Sequence, residues 1–375
     1  MANAAPDEDY EAWFRLLETP GVGRETARRL LAACGSPTAV FGAGRSALRA
    51  IAGAAVADAL AATPPQLNER WQAVQRWRGG GEARHLLALG DPRYPSRLLQ
   101  TADPPLMLYL QGPPELLAAD AIAVVGSRHA TPQGLETARA FGRALSERQW
   151  VVISGLAAGI DGAAHEGALA GAAAGGAATV AVVGTGLDLV YPARHRELAR
   201  RIAERGALLS EYAPGTPPLA EHFPQRNRLI AGLALGTLVV EAALKSGSLI
   251  TARLAAEAGR EVFAVPGSIH APQSRGCHAL LRQGAKLVET AEDIVEELAG
   301  IRTATATKPT PTAAGDGDES DPLLRALGHA PATLDALLAR TGWPTAELTA
   351  RLLELEFDGQ VARMAGGLYQ RLGRA

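Results

Sequence analysis

The chain has 375 residues and a formal net charge of -2, from 37 Lys plus Arg against 39 Asp plus Glu. That balance excludes a positive coat over the whole surface, so any polyanion site has to be a local concentration of basic side chains. At roughly 150 residues per domain the length gives two or three domains, no window reaches the ~18 consecutive apolar residues of a membrane span, and two cysteines, Cys34 and Cys277, make neither a disulfide framework nor a cysteine zinc site.

The opening MANAAPDEDYEAW is acidic and lacks the basic and apolar regions of a signal peptide, so a soluble, cytoplasmic protein is expected. Residues 10–62 read as short helices without a strand. Trp13 to Leu17 is followed by Thr19-Pro20-Gly21-Val22-Gly23 and then by Arg24 to Ala33, with Ala27, Leu30 and Leu31 on one face. A Pro-Gly-Val-Gly turn between helices resembles a helix-hairpin-helix, whose backbone N–H groups can hold a DNA phosphate; it equally suits a small bundle in which the glycines only permit a tight turn. Residues 1–82 are assigned to this helical, SAM-like or helix-hairpin-helix domain.

Two strands, His85–Leu89 and Leu106–Leu110, precede a regular pattern. Apolar β-type runs recur at Ala121–Val125, Trp150–Ser154, Thr179–Val183, Ala207–Tyr212, Thr237–Glu241 and Glu261–Val265, with a weaker one at Lys286–Glu289. Helical stretches such as Pro132–Arg148, Ala193–Arg205 and Leu249–Ala258 separate most of them. Continuous apolar strands alternating with helices specify an α/β fold, a doubly wound, mostly parallel sheet, here assigned to residues 83–300. Residues 301–322, rich in Thr, Pro, Ala and acids, are expected to be a disordered linker. Helical patterns at Leu323–Leu327, Thr333–Arg340 and Thr345–Leu355, then a hairpin over Gln360–Met364 and Gly367–Gln370, give a winged-helix domain at 323–375.

The chemistry-bearing residues fall in the turns after the strands. Gly126-Ser127-Arg128 follows the first regular strand and leads to Thr131-Pro132, an N-cap with proline at the first helical position; Arg128 offers a fixed bidentate donor for phosphate, or a surface ion pair. The spacing is not G-x-G-x-x-G, which disfavours a dinucleotide site. Next come Ser154-Gly155 and Gly159-Ile160-Asp161, with His165 four residues further on. Asp161 and His165 read as an acid–base pair or as braces for the loop. Phe223-Pro224-Gln225-Arg226-Asn227-Arg228 sets two guanidinium groups and an amide beside a ring, which suits single-stranded nucleic acid; the alternative is a salt-bridged helix start with Glu211 as counter-charge. Lys245-Ser246-Gly247-Ser248, after Glu241, forms an anion cradle that uses one of only three lysines, though it is not a P-loop.

Taken in order, Gly126-Ser127-Arg128, Ser154-Gly155 to Asp161 with His165, Tyr191-Pro192, Ser210-Glu211, Phe223-Pro224-x-Arg226-Asn227-Arg228-x-Ile230, Glu241 with Ser246-Gly247-Ser248, and Pro266-Gly267 resemble the DNA-processing protein DprA (Smf) family over about residues 85–300. His278 stands where that family pattern has Asn, which touches one edge contact. The resemblance implies an extended Rossmann fold, a homodimer, no catalysis and no cofactor. It implies a protein that binds single-stranded DNA, protects incoming strands and loads the RecA recombinase during natural transformation. Carried over residue by residue, it places Gly126, Ser127, Arg128, Phe223, Arg226, Asn227, Arg228, Lys245, Ser246 and Gly247 at the DNA and makes Asp161, His165 and Glu241 structural. Two rival functions fit less well. A phosphoribohydrolase would need a P-G-G-x-G-T-x-x-E loop, and Pro266-Gly267-Ser268 lacks the second Gly and the Glu. A duplex-DNA regulator would read through the winged helix, whose recognition helix carries Glu347, Glu354 and Glu356 against Arg351.

Overall fold

The computed structural model describes residues 7–173, 179–306, 321–327, 332–341, 343–358, 360–363 and 368–371. The chain divides into two compact units after Leu298. The first opens with six helices: α1 (Asp7–Glu18), α2 (Arg24–Cys34), α3 (Pro37–Gly42), α4 (Arg45–Ala52), α5 (Ala54–Ala61) and α6 (Leu67–Gly79). Leu16, Ala27, Leu30, Val40, Leu48 and Leu60 make the shared core of α1 to α5, whereas α6 packs into the core of the sheet. Helix α6 is not among the elements expected from the sequence; Leu67, Trp71, Val74 and Trp77 are its buried stripe, at the helical spacing that two tryptophans diluted by charged neighbours obscure.

The sheet has nine strands: β1 (Arg84–Ala88), β2 (Met107–Gln111), β3 (Ala121–Val125), β4 (Val151–Ser154), β5 (Thr179–Val183), β6 (Ala207–Ser210), β7 (Gly236–Val239), β8 (Glu261–Ala264) and β9 (Lys286–Leu287). Their spatial order is β1-β2-β6-β5-β4-β3-β7-β8-β9. From β6 to β9 every pairing is parallel, whereas β2 runs antiparallel to β6 and β1 to β2. The mostly parallel, doubly wound α/β sheet read from the sequence is therefore the fold. Strands β2 to β7 are buried on both faces. In β3, Ile122 and Val124 join one core, with residues of α8 (Pro132–Glu147), α9 (Ile160–Gly171) and α10 (Arg196–Arg205). Ala121, Ala123 and Val125 join the other, with α7 (Ser96–Leu99), α11 (His222–Leu233), α12 (Ser248–Glu257) and α13 (Arg275–Arg282). Alternation within an unbroken apolar run is what a two-sided burial demands.

Three particulars open the site and brace the sheet around it. The chain leaves β3 toward β4, β5 and β6, then returns to β7 on the other side of β3, so the strand order reverses between β3 and β7; crevices open at such a switch point, beyond the carboxyl ends of the strands. Helices α8 and α9 pack backbone against backbone: a Cβ on Gly142 would lie 2.4 Å from the Ala164 carbonyl oxygen, one on Gly167 2.1 Å from that of Arg139, and one on Gly171 2.2 Å from that of Arg143. Finally α1 is tied to an edge strand of the sheet, because the single Tyr10 O–H is shared between the Leu86 carbonyl at 2.9 Å and Asp91 at 2.8 Å.

A last helix, Ala291–Ala306, runs six residues into the stretch expected to be linker; 307–320 lie outside the described residues. In the second unit, helices Pro322–Leu327, Leu334–Thr341 and Thr345–Phe357 accompany strands Ala332–Thr333, Val361–Arg363 and Leu368–Arg371, the last pairing antiparallel with both others. Leu323, Leu327, Leu337, Leu348, Leu352 and Tyr369 form the core of this three-helix, winged unit. Among the described residues no helix is long and apolar enough to cross a membrane.

Candidate nucleic-acid interface

The switch point holds a cleft of about 470 Å³. Its walls are the turns after β3 and β7 and the first turns of α11 and α12. Gly126, Ser127, Arg128, Phe223, Arg226, Asn227, Lys245, Ser246 and Gly247 all line it, residues up to 121 positions apart in the chain (247 minus 126) brought together by the reversal of strand order.

The two turns are pinned to each other by Glu241. Its carbonyl accepts the Ser127 N–H at 2.7 Å, and its carboxylate accepts the Thr131 N–H at 3.0 Å and the Thr131 hydroxyl at 2.5 Å. Thr131 in turn caps α8 by accepting the Gly134 N–H. The structural role expected for Glu241 is thus a definite one: it spends every one of these contacts on holding the turn that presents Arg128. This changes what Gly126 and Ser127 do. The Ser127 N–H is committed to Glu241 and not to a ligand. A Cβ at Gly126 would strike the Ile160 side chain at 2.6 Å and the Glu241 carbonyl at 2.9 Å, so this glycine admits protein rather than ligand. Gly159 does the same from below: at φ +80° it passes the Ser127 carbonyl so closely that a Cβ would lie 2.1 Å away.

Above this frame stand the groups that face outward. Arg128 is exposed, has no ion-pair partner among the described residues, and holds its guanidinium 5.7 Å from the centre of the Phe223 ring. Lys245 is likewise exposed, at the approach to α12. Phe223 packs against Tyr191, ring centroids 5.4 Å apart, and Tyr191 is 50% exposed. In the sequence Tyr191 stands within a motif and carries no site role; only the fold shows that it doubles the aromatic surface. Asn227 is half-buried in the wall, and Ser246 shares a 2.7 Å hydrogen bond with Ser248 at the start of α12.

Arg226 and Arg228 part company. Arg226 is 4% exposed, donates from Nη1 to the Val182 carbonyl at 2.7 Å, and leaves Nε without a partner. Burial pushes its pKa down to about 10; Asp161 opposes that push and Arg128 adds to it, and at neutral pH the group stays charged. It lies over Gly155, where a Cβ would overlap the guanidinium. Arg226 is therefore the charged floor of the cleft. Arg228 is not in the cleft: it grips both Glu211 oxygens at 2.5 Å and donates to the Asp103 carbonyl at 2.8 Å. Of the two roles open to this pair of arginines, Arg228 takes the salt-bridged one.

Asp161 and His165 do not form an acid–base pair. Asp161 accepts from the backbone N–H groups of Gly155 and Ala157, and burial raises its pKa despite Arg226 and those N–H groups. His165 is fully buried, with Nδ1 2.8 Å from the Thr179 hydroxyl, which itself donates to the Val152 carbonyl. The network assigns the proton to Nδ1 and leaves Nε2 bare. Among the described residues no three His, Cys, Asp or Glu side chains gather as a metal site.

Comparison with known proteins places this geometry. Residues 85–299 match the model of the family described as DNA recombination-mediator protein A. The chain belongs to that family. Residues 307–367 match the DprA winged helix domain. Protein Smf of Escherichia coli (strain K12) is 43% identical over 297 residues, 78% of each chain. The X-ray structure of DNA processing protein A from Streptococcus pneumoniae superposes with a TM-score of 0.65 at 36% identity, covering 77% of this chain and 96% of that one. DNA processing protein A from Helicobacter pylori, described for its single-stranded DNA binding mode, gives 0.52 at 30% identity, covering 58% and 96%.

For this member of the family, the buried His165 has a measurable consequence. Burial pushes its pKa down to about 3, whereas the unfolded chain's histidine titrates near 6.5. Between those values the unfolded state binds a proton that the fold refuses, so His165 supports the fold fully above pH ~6.5 and progressively less as pH falls toward 3. Asp161, shifted upward, pulls the other way, so the comparison must be between variants. His165→Asn keeps an amide donor for Thr179 and cannot titrate. Urea unfolding at pH 7, 5.5 and 4.5 should show a smaller acid-side loss for the variant, by up to about 2–3 kcal/mol at pH 4.5. Parallel losses would assign the acid lability to other groups.

Proposed function

We propose that this protein binds single-stranded DNA in the switch-point cleft and delivers it to the RecA recombinase during natural transformation, acting as a homodimer in the cytoplasm and by binding rather than catalysis. Membership of a DNA recombination-mediator family supports the reading, as does the single-strand binding described for the Helicobacter pylori relative. The observation that carries it is the pairing of two outward cations without ion-pair partners among the described residues, Arg128 and Lys245, with the Phe223–Tyr191 rings on a turn that Glu241 holds rigid. Phosphates have charge to meet, and bases have a face to stack on. The loop a phosphoribohydrolase needs lacks its second Gly and its Glu at Pro266-Gly267-Ser268, and the Glu241 carboxylate is taken up by Thr131.

For the dimer, the groove between α12 and α13, about 650 Å³, sets Leu244, Leu249, Ile250 and Leu280 beside Lys245, Arg253, Arg260 and Glu261, a mixed surface that suits a second copy. The winged unit has less to offer a phosphate backbone: Arg351 is held by Asp321 at 2.6 Å and by Glu354 at 2.6 Å.

Titration against single- and double-stranded oligonucleotides across a salt series tests the proposal. The single strand should bind more tightly, with log affinity falling by about 0.7 per phosphate neutralised for each decade of salt. Lys245→Ala should make that slope shallower by about one such increment, and Arg228→Ala should leave it unchanged. A flat salt response, or equal affinity for duplex, would refute the reading.

A further inference from the structure

A second cleft, of about 960 Å³, opens on the other flank of α11. One wall is the turn Gly21-Val22-Gly23-Arg24 that joins α1 to α2, the hairpin singled out in the sequence. The opposite wall is the loop after β6 with the first turn of α11, and Phe14, Met107 and Tyr109 supply an apolar floor. Tyr212 and His222 line this cleft as a stacked pair, ring centroids 3.8 Å apart and planes 17° from parallel. His222 is the residue before Phe223. The first turn of α11 is thus a ridge between two clefts, with Tyr191–Phe223 on one flank and Tyr212–His222 on the other.

The second cleft has no positive charge to spare. Arg24 and Arg28 are both paired with Asp103, at 2.8 and 2.6 Å, and Arg70 is paired with Glu18. Three arginines line it against four acids, Glu18, Glu25, Asp103 and Glu211. A phosphate backbone meets no unpaired side-chain cation in this cleft. A nucleobase, which is uncharged and presents a π-face, loses nothing to that charge balance and finds rings to stack on.

We propose that the cleft between the α1–α2 hairpin and α11 is a base-stacking extension of the single-strand path: a strand leaving the switch-point cleft turns over the first turn of α11 and stacks bases on Tyr212–His222, its phosphates remaining outside. This rests on the single-strand reading of the first cleft.

The test is fluorescence anisotropy of the full chain with labelled oligothymidylates from about 4 to about 16 nucleotides, for Tyr212→Ala and Tyr212→Phe. Tyr212→Ala should leave the shortest binding strands at wild-type affinity and weaken the long ones by about five- to one-hundred-fold, without changing the salt slope; Tyr212→Phe should restore them. Equal weakening at every length would mean that Tyr212 only supports the fold, and no weakening at any length would leave the cleft to an apolar protein segment; either overturns the proposal. Arg128→Ala on the short strands separates the two readings. If it has no effect there, the first cleft is not the DNA site and the extension falls with it.

Discussion

Alanine at position 128 is expected to weaken single-strand binding by roughly ten- to one-hundred-fold, the loss of one charge-assisted bidentate contact worth about 1.5–3 kcal/mol. The expectation rests on how little else Arg128 does. Its side chain is exposed and has no ion-pair partner among the described residues; it stands over the Phe223 ring, and its charge acts on Asp161 and Arg226 in opposite senses. Removing it leaves Glu241, Thr131 and the α8 cap in place, so the melting temperature should be unchanged. Arg128→Lys should recover the salt dependence but only part of the affinity, because an ammonium keeps the charge without the fork. The contrast is Arg228→Ala, which takes the nearer cation from a largely buried Glu211, leaves Arg24 at 3.6 Å, and should lower stability while sparing the salt slope. Affinity within twofold of wild type for Arg128→Ala would remove this residue from the interface.

Gly167→Ala is expected to cost the fold about 3 kcal/mol, or roughly 5 °C in melting temperature for a unit of this size. One methyl group is a small change, but the neighbour is backbone: the new Cβ would lie 2.1 Å from the Arg139 carbonyl oxygen, and no side-chain rotamer can relieve that. Helices α8 and α9 must move apart, and Gly142 and Gly171 interlock along the same seam. The displacement also reaches the site. Helix α9 begins at Ile160 and Asp161, beneath the β3 turn and beside Arg226, and α8 begins at the Thr131 cap that Glu241 holds. Single-strand affinity should therefore fall along with stability. Differential scanning calorimetry together with a binding titration checks both; an unchanged melting temperature would show that the two helices can separate without cost.

The alternation of strands and helices is legible because residues such as Ala121 to Val125 are buried on both faces and leave an unbroken apolar run. The cleft is legible for a related reason, since turns that follow parallel strands converge on one edge whatever their spacing in the chain. What the sequence obscures is direction. Arg226 and Arg228 look like a matched bracket around Asn227, yet on α11 two residues are about 200° of rotation, so one faces Val182 in the core and the other Glu211 on the far flank. Tyr191 escapes a reading of the sequence because its partner Phe223 comes from another turn, brought close only by the sheet. The arginines of the hairpin cannot be told from phosphate ligands until Asp103, some 75 residues later, is seen to neutralise them.

The bond from Tyr10 to Leu86 has a bearing on solubility. Strand β1 is one of the sheet's two outermost strands, and such an edge is a template on which a strand of another molecule can grow. The Tyr10 hydroxyl caps the Leu86 carbonyl on that edge, and Arg93 and Asp91 crowd the same place. Burial and the neighbouring Asp91 push the phenol pKa up to about 12, so the cap remains a donor at any pH the protein meets. Helix α1 thereby acts as a stopper against chain-to-chain strand pairing. Loss of that helix would be felt first as a tendency of concentrated protein to form ordered aggregates, well before the contacts inside the sheet had changed.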